Sequence, residues 1–169
     1  MSRRVPKLIN NFAIYADGFS AGASGTRFML PDLKLKVKEH QGGGMFTPTD
    51  IVVGSEKLMA TFDLVQYEAA FLALLGRENV QYTVRMYGRG STGDEQTVVG
   101  YFTGKLIEQT GREHTVGESE YKLTHSITLT HYALEVDGAI VHDIDVQNGK
   151  FIIGGVDLCG GMNEALGLA

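Results

Sequence analysis

Tyr121-Lys-Leu-Thr-His-Ser-Ile-Thr-Leu129, followed by Thr130-His-Tyr-Ala-Leu-Glu-Val136 and the continuation to Ile153, carries the clearest pattern in the chain. Leu123, Ile127 and Leu129 alternate with Lys122, Thr124, Ser126 and Thr128, and a period of two sends these sets to opposite faces of a strand. Up to Leu129 the apolar residues are odd-numbered; Tyr132, Leu134 and Val136 are even-numbered. A strand cannot change its buried face without an extra residue, so a bulge or bend is expected near Thr130–His131, as where one long strand serves two sheets. Asp137-Gly138 and Asn148-Gly149 then mark tight hairpins, because type I′ turns need positive φ at both central positions. The stretch reads as a meander: strand, turn, strand, turn, strand.

The same alternation extends outward. In Leu33–Lys38 the leucines and Val37 share one face and Lys34, Lys36 and Lys38 the other. In Glu56–Leu64, Leu58, Ala60, Phe62 and Leu64 lie opposite Lys57, Thr61 and Asp63, with Met59 the exception. Asp17-Gly18 marks another hairpin. One stretch departs from period two. Gln66–Leu75 (QYEAAFLALL) has no β-branched residue, places Tyr67, Ala70, Phe71, Leu74 and Leu75 at helical spacing, and ends at Gly76, so it is expected to be a helix docked on a sheet. Asn163–Leu166 adds a candidate terminal turn.

Two loops stand out. Gln41–Asp50 (QGGGMFTPTD) is a glycine-rich excursion between two strands with an apolar Met45-Phe46 tip. Gly88–Gln96 joins the strand-like runs Gln81–Tyr87 and Thr97–Ile107.

A chain of 169 residues suits one domain, and 43% hydrophobic with 21% charged residues argues against wholesale disorder. The 22 glycines against 3 prolines are scattered between hydrophobic runs, as turn punctuation in a β-rich chain. A net charge of -5 gives no global attraction to nucleic acid or anionic membrane. The single cysteine, Cys159, excludes an internal disulfide. No apolar run follows the N-terminal arginines and none approaches the roughly 18 residues that cross a bilayer, so neither a leader nor a membrane anchor is expected.

Motifs with catalytic overtones are better explained as turns. Gly18-Phe-Ser20-Ala-Gly22 matches a nucleophile elbow, but the chain continues toward another strand rather than the helix an elbow requires. Gly88-Arg-Gly90-Ser-Thr-Gly93 matches a dinucleotide fingerprint but leads into a β-branched strand. Asp143–Gly154 resembles a calcium loop yet lacks glycine at its sixth position and glutamate at its twelfth. His125 and His131 lie six residues apart on one strand, roughly 20 Å, too far to share a metal. No catalytic constellation, metal site or cofactor is expected.

The ordered set Asn11-Phe-Ala-Ile-Tyr-Ala-Asp-Gly18, Leu30-Pro-Asp-Leu-Lys-Leu-Lys36, Glu39-His-Gln-Gly-Gly-Gly-Met45, Tyr132–Gly138, His142–Gly149, Gly155-Val-Asp-Leu158 and Asn163-Glu-Ala-Leu-Gly-Leu168 resembles the major tail tube protein family of contractile-tailed bacteriophages and R-type bacteriocins. The resemblance covers nearly the whole chain in order. It implies a mainly β fold, an antiparallel β-sandwich or barrel with one helix, whose long hairpins join an inner β-barrel in a hexameric ring. Rings would stack into a hollow tube inside a contractile sheath, in the virion tail, after assembly in the host bacterial cytoplasm. The implied partners are other copies of the chain, the sheath, the tape-measure protein, the baseplate tube initiator and passing DNA, held without sequence-specific binding and with no direct membrane anchoring. A type VI-like injection tube shares this architecture, and a monomeric ligand-binding β-barrel is the rival from another class.

On this reading residues 1–169 form a single tail tube domain with an N-terminal arm (about 1–10), an assembly loop (about 41–55) and a C-terminal tail (about 160–169). Gly42, Gly43, Gly44, Met45 and Phe46 are expected at inter-subunit or inter-ring contacts. Lys34, Lys36, Lys38, Thr61, Asp63, Lys122, Thr124, Ser126 and Thr128 are the candidate polar residues facing lumen or sheath, with the lysines pairing to acids such as Asp63 or Glu39 if they do not.

Overall fold

Strand β9 (Leu123–Val136) is the spine of the computed structural model, which describes residues 6–111, 113–117 and 122–168. Tyr121, at the head of the expected meander, lies outside the described residues. One edge of β9 pairs antiparallel with β8 (Glu95–Thr110) along its length. The other edge is divided: Leu123–Thr128 pairs with β6 (Met59–Leu64), and His131–Val136 with β10 (Ala139–Asp145). Thr103 opposes His131 and Gly104 opposes Leu129, so Thr130 is the extra residue of a bulge. That bulge is the physical form of the phase slip in the sequence. It lets Leu123, Ile127 and Leu129 enter the core before it and Tyr132 after it.

From β9 the sheet runs outward in two directions. One passes through β10 and β11 (Lys150–Ile153) to β12 (Val156–Asp157); the other passes through β8 and β7 (Val80–Gly90) to β1 (Lys7–Ala16) and β2 (Phe19–Ser20). β3 (Gly25–Met29) extends the branch begun by β6. All these strand pairings are antiparallel. The β6 branch folds over the β1–β7–β8 wall, and the core lies between them. Phe62 is at its centre, stacked on His125 (centroids 4.7 Å apart, planes 3° from parallel) and edge-on to Phe71 at 5.8 Å. Leu58, Ala60, Phe62 and Leu64 are all buried, as their alternation requires.

Two expected hairpins have the expected turns. Asp17 and Gly18 adopt φ of 48° and 84°, and Asp137 and Gly138 adopt 50° and 85°. The third does not. Asp145 pairs with Lys150, leaving a four-residue link in which the Asp145 carboxylate accepts the N–H groups of Gln147 and Asn148 at 3.1 and 3.0 Å. The aspartate organises that turn in place of an Asn-Gly pair. Gly88–Gln96 is the hairpin between β7 and β8, closed by the Gly90 N–H donating to the Asp94 carbonyl at 2.8 Å.

The helix expected over Gln66–Leu75 is reduced to one turn, α1 (Ala69–Leu72), docked through Phe71. Its continuation is captured by β8. The Gln109 amide donates to the Phe71 and Leu72 carbonyls, Leu75 bridges Leu106 in parallel, and the Gly76 N–H donates to the Leu106 carbonyl at 2.9 Å. The C-terminal turn is longer than expected. α2 (Gly160–Leu166) ends on Gly167 in the left-handed region, with Leu168 and Gly167 N–H groups donating to the Asn163 and Glu164 carbonyls.

Two core tyrosines make the burial measurable. Loss of water pushes the Tyr82 and Tyr132 hydroxyls up to about 12, with the Asp17 carboxylate adding to the effect at Tyr82. A raised folded value means stability is complete below the ordinary 10.0 and is lost as pH rises toward 12. Ultraviolet titration should therefore show these two of the seven tyrosines ionising late, together with alkaline unfolding. Ionisation of both near 10 in a still-folded protein would contradict this core.

Candidate functional site

The two-stranded sheet of β4 (Leu35–His40) and β5 (Thr49–Ser55) stands apart from the main sheet. Val37 opposes Val52, Lys38 opposes Ile51 and Glu39 opposes Asp50. Alternation predicts a buried apolar face here, but every residue of both strands is exposed. Leu35 and Val37 retain 47% and 51% of their accessible surface, and Ile51, Val52 and Val53 retain half or more. A hairpin of this kind is marginal by itself, and both its outer edges are open. The region 41–55 is thus a tip, Gln41–Pro48, carried on a strand rather than a loop throughout.

The tip is ordered by its own bonds. The Met45 N–H donates to the Gly42 carbonyl at 3.2 Å, the Gly42 N–H to the Met45 sulfur at 3.3 Å, and the Gln41 amide to the Met45 carbonyl at 3.1 Å. Gly44 sits at φ +83°, a conformation that side chains resist. This turn draws Met45 back toward Gly42 and leaves Phe46 fully exposed.

At the hairpin root lies an apolar cleft of about 410 Å³, between Leu35, Val52 and Val53 on one side and Phe151, Leu158 and Met162 on the other. The apolar face of the hairpin therefore turns toward the chain's own C-terminal segment. Lys36 and Lys38, on the opposite face, turn away from it. Sequence reasoning missed the cleft. Its signal was the row Val156, Leu158, Met162, Leu166 and Leu168, too apolar for a solvated tail and all more than half exposed.

Other candidate polar residues are placed differently from the expectation. Asp63 and Ser126 are buried within the subunit, so they line neither lumen nor sheath surface. The Asp63 carboxylate accepts the Thr124 hydroxyl at 2.8 Å on Oδ1, and its Oδ2 is ion-paired with the Lys122 ammonium at 2.9 Å and the Arg27 guanidinium at 3.5 Å. A buried carboxylate needs such compensation. Thr61 and Thr128 are half-buried beside it on the same strand pair. Lys34, Lys36 and Lys38 form no ion pair among the described residues; the anticipated pairing to Asp63 is taken by Lys122 and Arg27 instead. The structure thus brings Lys122, Thr124, Asp63 and Arg27 together and leaves the lysine row outside.

A second charged cluster crosses β9, β10 and β11. Asp143 holds the Lys150 ammonium at 2.7 Å and His131 Nε2 at 2.9 Å. The Lys150 bond, followed by the His131 contact, keeps the Asp143 carboxyl below its ordinary 3.8, and Asp143 in turn raises Lys150 above 10.5. The depressed acid contributes stability above 3.8 that is lost as pH falls through its folded value. The raised base contributes below 10.5 and loses that contribution above. Lys150→Met should accordingly lower the urea midpoint at pH 7, and the gap to the parent protein should close below pH 3.8. A gap of constant size down to pH 2 would assign the loss to packing.

Among the described residues no group of three or more His, Cys, Asp or Glu side chains is arranged to hold a metal. Ser20 lies on β2, where its hydroxyl accepts the Gly22 N–H at 3.1 Å, and it is followed by a single 3₁₀ turn, Gly22–Ser24, and then β3 rather than by the α-helix of an elbow.

Comparison with known proteins matches this architecture to tubes. A chain of the sheath–tube complex of the PVC extracellular contractile injection system in its extended state superposes with a TM-score of 0.58 at 8% identity, covering 79% of this chain and 92% of that one. A chain of the same system's sheath/tube terminator gives 0.61 at 8% identity over 79% and 99%. A chain of the tube-terminating cap of the anti-feeding prophage gives 0.60 at 8% identity over 80% and 94%. At such identities the likeness is one of fold. A comparison with curated protein sequences found no match. The family model for phage tail tube protein FII, however, matches residues 6–167. With its β9-centred antiparallel fold and its projecting hairpin, the chain belongs to the phage tail tube protein FII family.

Proposed function

We propose that six copies of this chain close into a ring and that rings stack into the hollow tube of a contractile tail. The observation that carries this reading is the β4–β5 hairpin, with two open edges and apolar residues exposed on both faces. An isolated subunit gains little from such an element; a barrel built from one hairpin per copy pairs the edges and covers the apolar face. In this arrangement the hairpin strands run along the tube wall, and Lys36 and Lys38 are turned toward the lumen. Met45 and Phe46, with Gly42, Gly43 and Gly44 shaping their turn, meet a neighbouring copy.

The role is structural rather than catalytic. A sheath surrounds the tube, a baseplate initiator nucleates it, and a tape-measure protein followed by DNA occupies the channel. Assembly takes place in the host cytoplasm and the product resides in the tail. A puncturing particle that carries no DNA uses the same wall, and the likeness to extracellular injection-system chains favours keeping it as the second reading.

Electron microscopy of the purified protein at rising concentration tests the proposal. Six-membered rings or hollow filaments are expected. A protein that stays monomeric at high concentration, even beside its sheath and baseplate, would overturn it.

A further inference from the structure

The hairpin has its exposed aromatic at one end and the apolar cleft at the other. β4 spans six residues, so tip and root are separated by roughly 20 Å of strand. Within one copy they cannot meet. When identical rings stack in one orientation, however, a feature on the upper face of each ring lies over a feature on the lower face of the next. Hairpins running along the wall then bring every tip above the root of a hairpin in the adjoining ring.

Resting on the stacking reading above, we propose that the cleft between Leu35, Val52, Val53, Phe151, Leu158 and Met162 is the receptor for Phe46 of a copy in the next ring. The shapes agree. The cleft, at about 410 Å³, admits an aromatic side chain with room for part of Met45, and its lining is mostly apolar, with Ser55 and Cys159 among it. Phe46 is presented by a turn already closed by three hydrogen bonds, so little ordering remains to oppose docking. Knob and hole occupy different parts of the surface, which makes the contact heterologous: it propagates from ring to ring rather than closing a dimer. The C-terminal segment of β12 and α2 thereby acquires a role. It forms the outer wall of the receptor, which accounts for the exposure of Leu158 and Met162 in the single subunit.

The chain's one cysteine makes the test direct, because Cys159 lines this cleft. Tubes of Phe46→Cys treated with a mild oxidant should give a ladder of covalent multimers. Peptide mapping should place the bond between residues 46 and 159, since a disulfide needs Cβ atoms about 4 Å apart. The ladder should vanish in Phe46→Cys/Cys159→Ser. A second measurement uses the unaltered protein: maleimide labelling of Cys159 should slow at least tenfold when rings stack. Tubes that form but show unchanged labelling, or a ladder mapped to another residue, would overturn the receptor assignment and leave tube formation standing. Failure of the unaltered protein to form rings or tubes under any condition would overturn the stacking reading itself.

Discussion

Gly104→Ala is expected to cost roughly 3–5 kcal/mol of folding stability, the upper range for a single methyl group. A Cβ at this position would lie 2.1 Å from the Thr128 carbonyl oxygen and 3.0 Å from its carbon. Both atoms are backbone of β9, so no rotamer change relieves the clash. Relief requires β8 and β9 to part at the bulge where Gly104 opposes Leu129, the junction at which β9 passes from the β6 branch to β10. Leu106, Ile127 and Leu129, all buried beside it, would be displaced together. Gly43→Ala is the control: nothing lies within 4 Å of its Cβ, and its change should stay within about 0.5 kcal/mol. Urea unfolding of the two variants measures the contrast. Equal midpoints would show that the central ladder is looser than its geometry indicates.

Gly104 also indicates what was legible in the sequence. The phase slip beside Thr130 marked the bulge on β9, but the reading of Thr97–Ile107 as a plain strand missed Gly104, whose close backbone approach only the β8–β9 pairing creates. Alternation identified Leu58, Ala60, Phe62, Leu64, Leu123, Ile127, Leu129 and Tyr132, which the subunit's own core covers, but not the burial of Asp63, Ser126 and Ala133 on the other face. It misread Leu35 and Val37, which the subunit's own core leaves about half exposed; on the ring reading proposed above, neighbouring copies cover them. Period two reports that a face is to be buried, not which molecule buries it.

Helix length and charge partners were less legible. Gln66–Leu75 has good helical composition, but propensity is worth tenths of a kcal/mol per residue and yields to tertiary hydrogen bonds, donated by the Gln109 amide and accepted by the Leu106 carbonyl. The partners of Asp63 lie 36 and 59 positions away in sequence, a juxtaposition that only the pairing of β3, β6 and β9 creates. The cleft was hidden similarly, since its walls come from β4–β5 and from the final segment of the chain.

Phe46→Asp, alone or with Met45→Asp, is expected to abolish tube formation at concentrations where the parent protein polymerises, while the subunit stays folded. Phe46 is fully exposed and contributes no core contact, so its thermal midpoint should shift by less than about 2 °C. Met45 carries the turn through its sulfur and backbone, so the double variant also loosens the tip. In the assembled tube the balance is different. Burying an aromatic side chain is worth about 1.5–3 kcal/mol, and a carboxylate in its place adds an uncompensated desolvation penalty. Each 1.4 kcal/mol is tenfold in an equilibrium, so the critical concentration should rise on the order of a hundredfold for subunits adding singly. For rings adding whole, the loss recurs at every copy and the effect is larger. Sedimentation and electron microscopy distinguish the outcomes. Filaments of the parent length at the parent concentration would place the inter-ring contact elsewhere on the subunit, whereas rings that form but do not stack would confine the tip to contacts along the tube.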